Sequence, residues 1–304
     1  VKIHLVTKAN GVGLSRDIEV LKKFLGELGH DVEYMDWELD NHRRNPEADL
    51  NIYLELFDKR WLPTAHWHVG IFNIEWLDAS YLEHLPKFTQ LWAKSTQLKE
   101  WFERRGLASE FTGFLSRDMN DPTVLREDRA IHVVGNSTAK GTNAVLDAWS
   151  SKEAIVLPSL TVISGSPIDR SFNGRVWQQH VSNDTLKREM NAARFHICPS
   201  EVEGWGHYIA EGLSCGAIIV TTDMAPMSYH VRPNYGRLIV GGIRHRELHT
   251  RMFVSPTQIT DSVAFLTQMS PDQLGYMSYL ARKAFEEHQR FFKLKAAELL
   301  ARLK

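Results

Sequence analysis

Cysteine is scarce in this sequence, with two in 304 residues, and no apolar run approaches the roughly 20 residues that cross a bilayer. Cys198 and Cys215 stand in apolar surroundings without CxxC spacing, which excludes a disulfide scaffold and suits a reducing compartment. Neither sign of charge dominates: 36 Lys and Arg against 37 Asp and Glu leave a net charge of -1. A dedicated nucleic-acid binder would carry a basic excess. There is no internal repeat and no low-complexity stretch. Hydrophobic residues at 43% and charged residues at 24% exclude a wholly disordered or collagen-like chain. The stretch Val1 to Val6 is too short and polar for a signal peptide and reads as a first β-strand. A cytoplasmic location is expected, and the length predicts about two domains.

Charge is unevenly spread. Residues 1–125 hold 15 basic and 20 acidic side chains, residues 126–304 hold 21 and 17, and residues 282–304 hold seven and three. The basic tail is either a solvated helix face or a face for an acidic lobe or an anionic membrane.

Short β-branched runs alternate with amphipathic segments, the pattern of βαβ units and parallel sheets. Strands are expected at 2–7, 31–35, 50–56, 68–74, 89–94 and 109–114, with helices at 14–28 and 95–105. The polar stretch 115–129, with Pro122, reads as a linker. The pattern then restarts, with strands at 131–134, 160–163, 195–198 and 217–221 and helices at 143–149, 184–193 and 206–214. After Pro271 a helical stretch runs to Lys304, with a break expected near 286–291. The expected class is α/β, with two doubly wound lobes facing a cleft. The divisions are residues 1–125, 126–281 and a C-terminal helix at 282–304.

Three segments carry chemistry. Asn10-Gly11-Val12-Gly13 follows the first strand, where glycines let backbone N–H groups approach an anion at a helix start. Asp36 stands where a dinucleotide fold places its ribose-binding acid, but Arg16 replaces the third glycine of that fingerprint. A tight strand–helix turn explains the glycines equally well. Gly135 to Thr142 (GNSTAKGT) places small residues and Lys140 before a helix, which suits a diphosphate; its spacing is not that of a Walker loop. The third segment, Pro199 to Ala217, passes from an apolar strand into an acidic loop, Glu203-Gly204-Trp205-Gly206, that opens a helix carrying Glu211. A carboxylate there can accept hydrogen bonds from sugar or ribose hydroxyls.

That third segment resembles the E-x7-E signature of family-4-type retaining glycosyltransferases of the GT-B fold, also called glycosyl transferases group 1. The resemblance covers most of the chain. Gly11-Val12-Gly13 resembles their N-terminal glycine loop, and Lys140-Gly141 their diphosphate-binding Lys-Gly. His180-Val181-Ser182 resembles the stretch that passes the nucleobase. The final helix resembles the one that crosses back to the N-terminal lobe.

The resemblance implies that Glu203 meets the donor sugar and Glu211 the ribose. It implies that the amides of Gly204, Trp205 and Gly206 face sugar or phosphate, and that Lys140 stabilises the leaving diphosphate. Two departures stand out. The arginine common before Lys-Gly is missing, so Arg170 or Arg175 would have to substitute. The histidine common after the fourth strand is replaced by Asn73 or Glu75, either of which could serve the acceptor or cap a strand end.

Trp37, Trp61, Trp67, Trp76, Trp92 and Trp101 crowd the first half; most are expected in the core, with one or two free to stack on a sugar. His66, His68 and Glu75 form no zinc pattern, so no metal and no cofactor are expected. The expected activity is sugar transfer from a nucleotide-activated donor to a carbohydrate, lipid-linked or other hydroxyl acceptor, with retention. The alternatives are a sugar-nucleotide epimerase of the same fold, an NAD-dependent oxidoreductase, and an inactive carbohydrate-binding subunit.

Overall fold

The computed structural model describes residues 1–8, 13–40, 47–77, 79–135, 137–152, 156–178, 181–246 and 248–303. Gly11, Asn136 and His180 lie outside them. The chain forms two compact units, Val1–Ser116 with His288–Lys304, and Arg117–Glu287. Residues 117–129 of the polar stretch read as a linker thus belong to the second unit. Asn191 and the Ser214 hydroxyl hold it, binding Asp121 N–H, Met119 C=O and Met119 N–H.

The first unit holds strands β1 (Lys2–Thr7), β2 (Asp31–Asp36), β3 (Ala48–Glu55), β4 (Ala65–Phe72), β5 (Gln90–Ala93) and β6 (Glu110–Phe111). They pair in the order β2-β1-β3-β4-β5-β6, all parallel. Parallel strands are covered on both faces, and β1 and β3 read accordingly as nearly continuous buried runs. Helix α1 (Gly13–Glu27) buries Leu14, Asp17, Leu21, Phe24 and Leu25, a 3.6-residue stripe. The short α2 (Ala79–Leu82) precedes β5, and α3 (Thr96–Glu103) starts at Ser95, whose hydroxyl accepts the Leu98 N–H.

The second unit holds β7 (Glu127–Gly135), β8 (Leu160–Ser164), β9 (Gly174–Gln178), β10 (Ala193–Cys198), β11 (Ile218–Thr222) and β12 (Gly236–Ile239). Their order is β12-β11-β10-β7-β8-β9, again parallel, with a separate hairpin of β13 (Gly242–His245) and β14 (Thr250–Phe253). Its helices are α4 (Thr142–Ser150), α5 (Asn183–Ala192), α6 (His207–Ser214), α7 (Met227–His230) and α8 (Pro256–Thr267). Strand β9 was not expected: as an edge strand it carries no buried run for a hydrophobic pattern to register.

Helix α9 (Pro271–Ala301) runs without the break expected near 286–291. The stretch EEHQRF holds neither glycine nor proline to interrupt it. Its residues to Glu287 count with the second unit and those from His288 with the first. In the first unit Phe292 is fully buried, with ring centroids 5.7 Å from Phe24, 5.5 Å from Phe114 and 6.3 Å from Trp92.

The basic residues of this segment meet carboxylates. Arg282 binds Asp118 and Glu286, Lys283 binds Glu286, Lys293 binds Glu27, and Lys295 and Arg302 bind Glu110 and Glu298. Much of the positive excess is therefore balanced locally. No helix of the described residues is long and apolar enough to cross a membrane. Cys198 and Cys215 are free and buried, and burial pushes the Cys215 thiol up to about 12.

Candidate active site

In the second unit, β7 continues through α4 to β8 on one side, while its neighbour β10 continues through α6 to β11 on the other. The loops after β7 and β10 thus leave adjacent strands in opposite directions. The crevice they open is where open α/β sheets bind ligands.

Lys140 and Glu203, both picked from the sequence, lie there. The Glu201 N–H donates to Ala139 C=O at 2.8 Å, which locks the two loops together. Gly141 caps α4 with φ 67°, and a Cβ on it would lie 2.3 Å from the Pro199 carbonyl oxygen. Glycine is thus required twice over, for its backbone conformation and for the close approach of the loops. Gly141→Ala is expected to destabilise the protein by about 2 kcal/mol or more. Chemical denaturation measures this, and a loss below about 0.5 kcal/mol would mean that the loops move apart freely.

Across this junction the Lys140 ammonium donates to Glu203 Oε1 at 2.5 Å and lies 3.6 Å from the Tyr208 ring centroid. The Ser200 hydroxyl donates to the same Glu203 oxygen at 2.6 Å and meets the Tyr208 hydroxyl at 2.5 Å. Below them, His132 is fully buried, with Nδ1 2.7 Å from Ile197 C=O and Nε2 3.0 Å from the Thr142 hydroxyl. Burial holds its pKa at about 4, so Nδ1 donates and Nε2 accepts from Thr142, the first residue of α4.

Gly206 caps α6 with φ 89°. The Trp205 side chain is buried, edge-on to His230 with centroids 4.3 Å apart, while His230 Nε2 donates to the Trp205 carbonyl. Only the backbone of Trp205 can therefore serve a ligand. Glu211 is buried on α6, and its Oε1 accepts from Arg117 Nε at 3.0 Å. Val181 stands between β9 and α5, packed with Trp177 against the Leu186 and Met190 cluster.

A cavity of about 520 Å³ adjoins the Lys140 loop, lined by Gly135, Thr138, Thr142, Ser164 and Arg170 among others. Arg170 binds Asp147 at 2.8 Å, and Arg175 binds Glu189 at 2.8 Å. Of the two candidate substitutes for the missing arginine, Arg170 is the one that lines this cavity.

The first unit has its own switch point, between β1 and β3. Gly13 starts α1 there, and a Cβ on it would meet nothing within 4 Å. Asn73 follows β4; its Nδ2 donates to Glu55 Oε1 at 3.2 Å, and its Oδ1 accepts from Lys94 Nζ at 3.1 Å. Lys94, almost fully buried, also donates to Asp17 Oδ2 at 3.1 Å. Asn73 is thereby tied into a charged network, whereas Glu75 lies in the turn beyond it. Sequence reading missed Glu55, Lys94 and Asp17. Glu55 ends β3, Lys94 follows β5 and Asp17 stands on α1, and no local motif joins them.

A second cavity in this unit, of about 410 Å³, is lined by Trp37, Asp58, Arg60, Tyr81, Glu83 and His84 among others. Trp61 and Trp92 are fully buried, as expected of the core, while Trp76 is exposed. Asp36 accepts from the Glu38 and Leu39 N–H groups and from the Tyr34 hydroxyl, so it closes its own turn.

Residues 173–252, inside the second unit, match the family described as Glycosyl transferases group 1. Among solved structures, the chain is similar to a sucrose-phosphate synthase of Thermosynechococcus elongatus, at TM-score 0.74 and 11% identity over 99% of this chain and 98% of that one. A glycosyltransferase of Rickettsia africae matches at TM-score 0.74 and 12% identity, over 99% and 98% of the two chains. The fold is GT-B. HepE of Anabaena, solved in complex with UDP and glucose, shares this fold at TM-score 0.70 and 12% identity over 99% of both chains. No curated protein sequence matches the chain. The GT-B lobe that carries the group 1 match is the one that pairs Lys140 with Glu203.

Proposed function

We propose that this protein transfers a sugar from a nucleoside diphosphate donor to an acceptor hydroxyl, with retention and without a metal ion. The observation that carries the reading is the Lys140–Glu203 pair at the switch point of the second unit. An ammonium has three donors, and Glu203 engages one of them. The others suit diphosphate oxygens. The bond from the anomeric carbon to the diphosphate breaks with its electron pair going to oxygen, and Lys140 with the α4 amino end opposes that charge. Glu203 then meets the sugar hydroxyls or the positive character at the anomeric carbon. The amides around Gly204 and Gly206 serve the same end of the donor, and Val181 lies on the nucleobase side. The first unit takes the acceptor. The aromatic faces of Trp37 and Tyr81, beside Asp58 and Arg60, suit a sugar ring in a cavity of about 410 Å³.

HepE was solved with UDP and glucose, which makes UDP-glucose the first donor to test. Glu203→Gln removes the charge while keeping size. UDP release from UDP-glucose is expected to fall about thirtyfold, with UDP affinity changed less than threefold, because only interactions made in the transition state alter the chemical step. Steady-state rates with calorimetry of UDP check this. Normal turnover by the variant would remove Glu203 from the reaction. Thermal shifts with UDP, GDP, ADP and NAD separate the oxidoreductase alternative, since a bound ligand raises apparent stability.

A further inference from the structure

In the second unit, positive charge without a carboxylate gathers on the hairpin β13–β14. Between Asp223 and Asp261 the chain holds five arginines and three histidines against one acid, Glu247, which lies outside the described residues. The basic tail is different, because its Arg282, Lys293, Lys295 and Arg302 each meet a carboxylate. In the hairpin, Arg251 reaches Glu201 at 3.5 Å, while among the described residues neither Arg244 nor Arg246 meets a carboxylate. The Arg244 guanidinium lies over the Phe253 ring instead, 4.7 Å from its centroid. The strand register sets Arg244 directly opposite Arg251. Like charges so placed destabilise a strand pair, and an anion beside them offsets the cost.

The ribbon is anchored at its base and closed at its tip. The Met252 N–H donates to the Glu201 carbonyl at 3.0 Å, and Gln258 Nε2 donates to the Val240 carbonyl at 2.7 Å. The Arg246 N–H closes the turn on the His249 carbonyl at 2.8 Å. Every residue from Gly242 to Arg246 is exposed, Ile243 at 55%, and Val240 just before them at 66%. Charge on an exposed edge strand by itself serves to keep other strands from pairing with it. Exposed valine and isoleucine work against that purpose. The combination suits a surface that is anionic outside and apolar just beneath.

We infer that the hairpin β13–β14 docks on an anionic lipid bilayer, with Arg244 and Arg246 at headgroup phosphates and Val240 and Ile243 among the first carbons of the acyl chains. Guanidinium groups bind phosphate oxygens through paired N–H donors. A nucleic acid or an acidic polysaccharide would engage the arginines but would offer nothing to the two aliphatic side chains. The membrane contact considered for the tail thus belongs to the hairpin, where the charge is unbalanced. It does not depend on sugar transfer.

The test is flotation of the full chain with phosphatidylcholine vesicles, pure or with about a third phosphatidylglycerol. The wild type is expected to float with the anionic vesicles and to stay behind with the neutral ones. Each cation near an anionic leaflet strengthens partitioning about fivefold, so Arg244→Gln with Arg246→Gln should lower it about twenty-five-fold. Both positions are exposed, and circular dichroism checks that the fold is kept. Ile243→Ser should lower vesicle binding about fivefold. Heparin retention, which reads charge alone, should fall in the double variant and stay unchanged in Ile243→Ser. Lys293→Gln with Lys295→Gln should bind vesicles within about twofold of wild type, since carboxylates already balance these lysines. A wild type that does not float, or a double variant that floats as well as wild type, overturns the assignment. Heparin retention that depends on the arginines without any vesicle binding overturns it too, in favour of a polyanionic partner. Vesicle binding lost with the tail lysines and kept without the arginines returns the contact to the tail helix.

Discussion

Lys140→Ala is expected to weaken nucleoside diphosphate binding about a hundredfold and to slow turnover about a thousandfold. The two figures differ for a physical reason. On the proposed reading, the ammonium in the ground state would contribute charge-assisted hydrogen bonds to a diphosphate already neutralised in part by helix ends. In the transition state the leaving oxygen gains charge, and the same ammonium opposes more of it. A second effect adds to the loss. Lys140 also holds Glu203, which is largely buried. Without the ammonium that carboxylate keeps the Ser200 hydroxyl but loses its counter-charge, and repels the incoming diphosphate. Calorimetry of UDP and rates of UDP release from UDP-glucose measure the two quantities separately. Lys140→Arg keeps the charge but spreads it over a planar fork, and should recover binding more than turnover. If Lys140→Ala binds every diphosphate as the wild type does, the donor site is not at this loop.

The second large effect is on stability below neutral pH. His132 and His196 are both fully buried, and burial depresses their pKa values to about 4 and about 3. His196 Nε2 donates to the Met190 carbonyl at 2.8 Å, and both rings are neutral in the folded protein. The unfolded chain binds a proton at each near pH 6.5. The stabilising contribution is therefore complete above about pH 6.5. It is lost as pH falls, until the folded-state values near 4 and 3 are reached. At pH 5 the two together should cost about 4 kcal/mol relative to pH 7.5, a slope of about two protons. Denaturant unfolding of the second unit, followed across this range, measures that slope. His196→Gln keeps a donor for the Met190 carbonyl and cannot titrate, so it should remove about one proton from it. A pH-independent midpoint between 7.5 and 5 would contradict the neutral, buried rings.

The consequence reaches the proposed site. His132 accepts the Thr142 hydroxyl at the start of α4, directly after Gly141 and Lys140. Protonation there would turn the Nε2 acceptor into a donor facing Thr142 and place a second cation near Lys140. The Lys140 loop is thus tied to a ring that must stay neutral.

What the sequence by itself determined is local. Buried parallel strands write their position as continuous apolar runs, so β1, β7, β10 and β11 were legible, and the glycines around Glu203 marked a loop opening onto a helix. Those signals arise from neighbours along the chain, and they sufficed for the fold class and for Lys140, Glu203 and Glu211 as candidates. Edge strand β9 and the hairpin β13–β14 left no such mark, because their side chains are largely exposed. The rest only the tertiary structure decided. Lys140 and Glu203 stand 63 residues apart and meet because β7 and β10 are neighbours in the sheet. Glu55 resembles any acid after a strand until the sheet sets it beside Asn73, with buried Lys94 and Asp17 behind them. A hydrogen bond between distant residues depends on strand order and register, and neither is written in the spacing of the residues that make it.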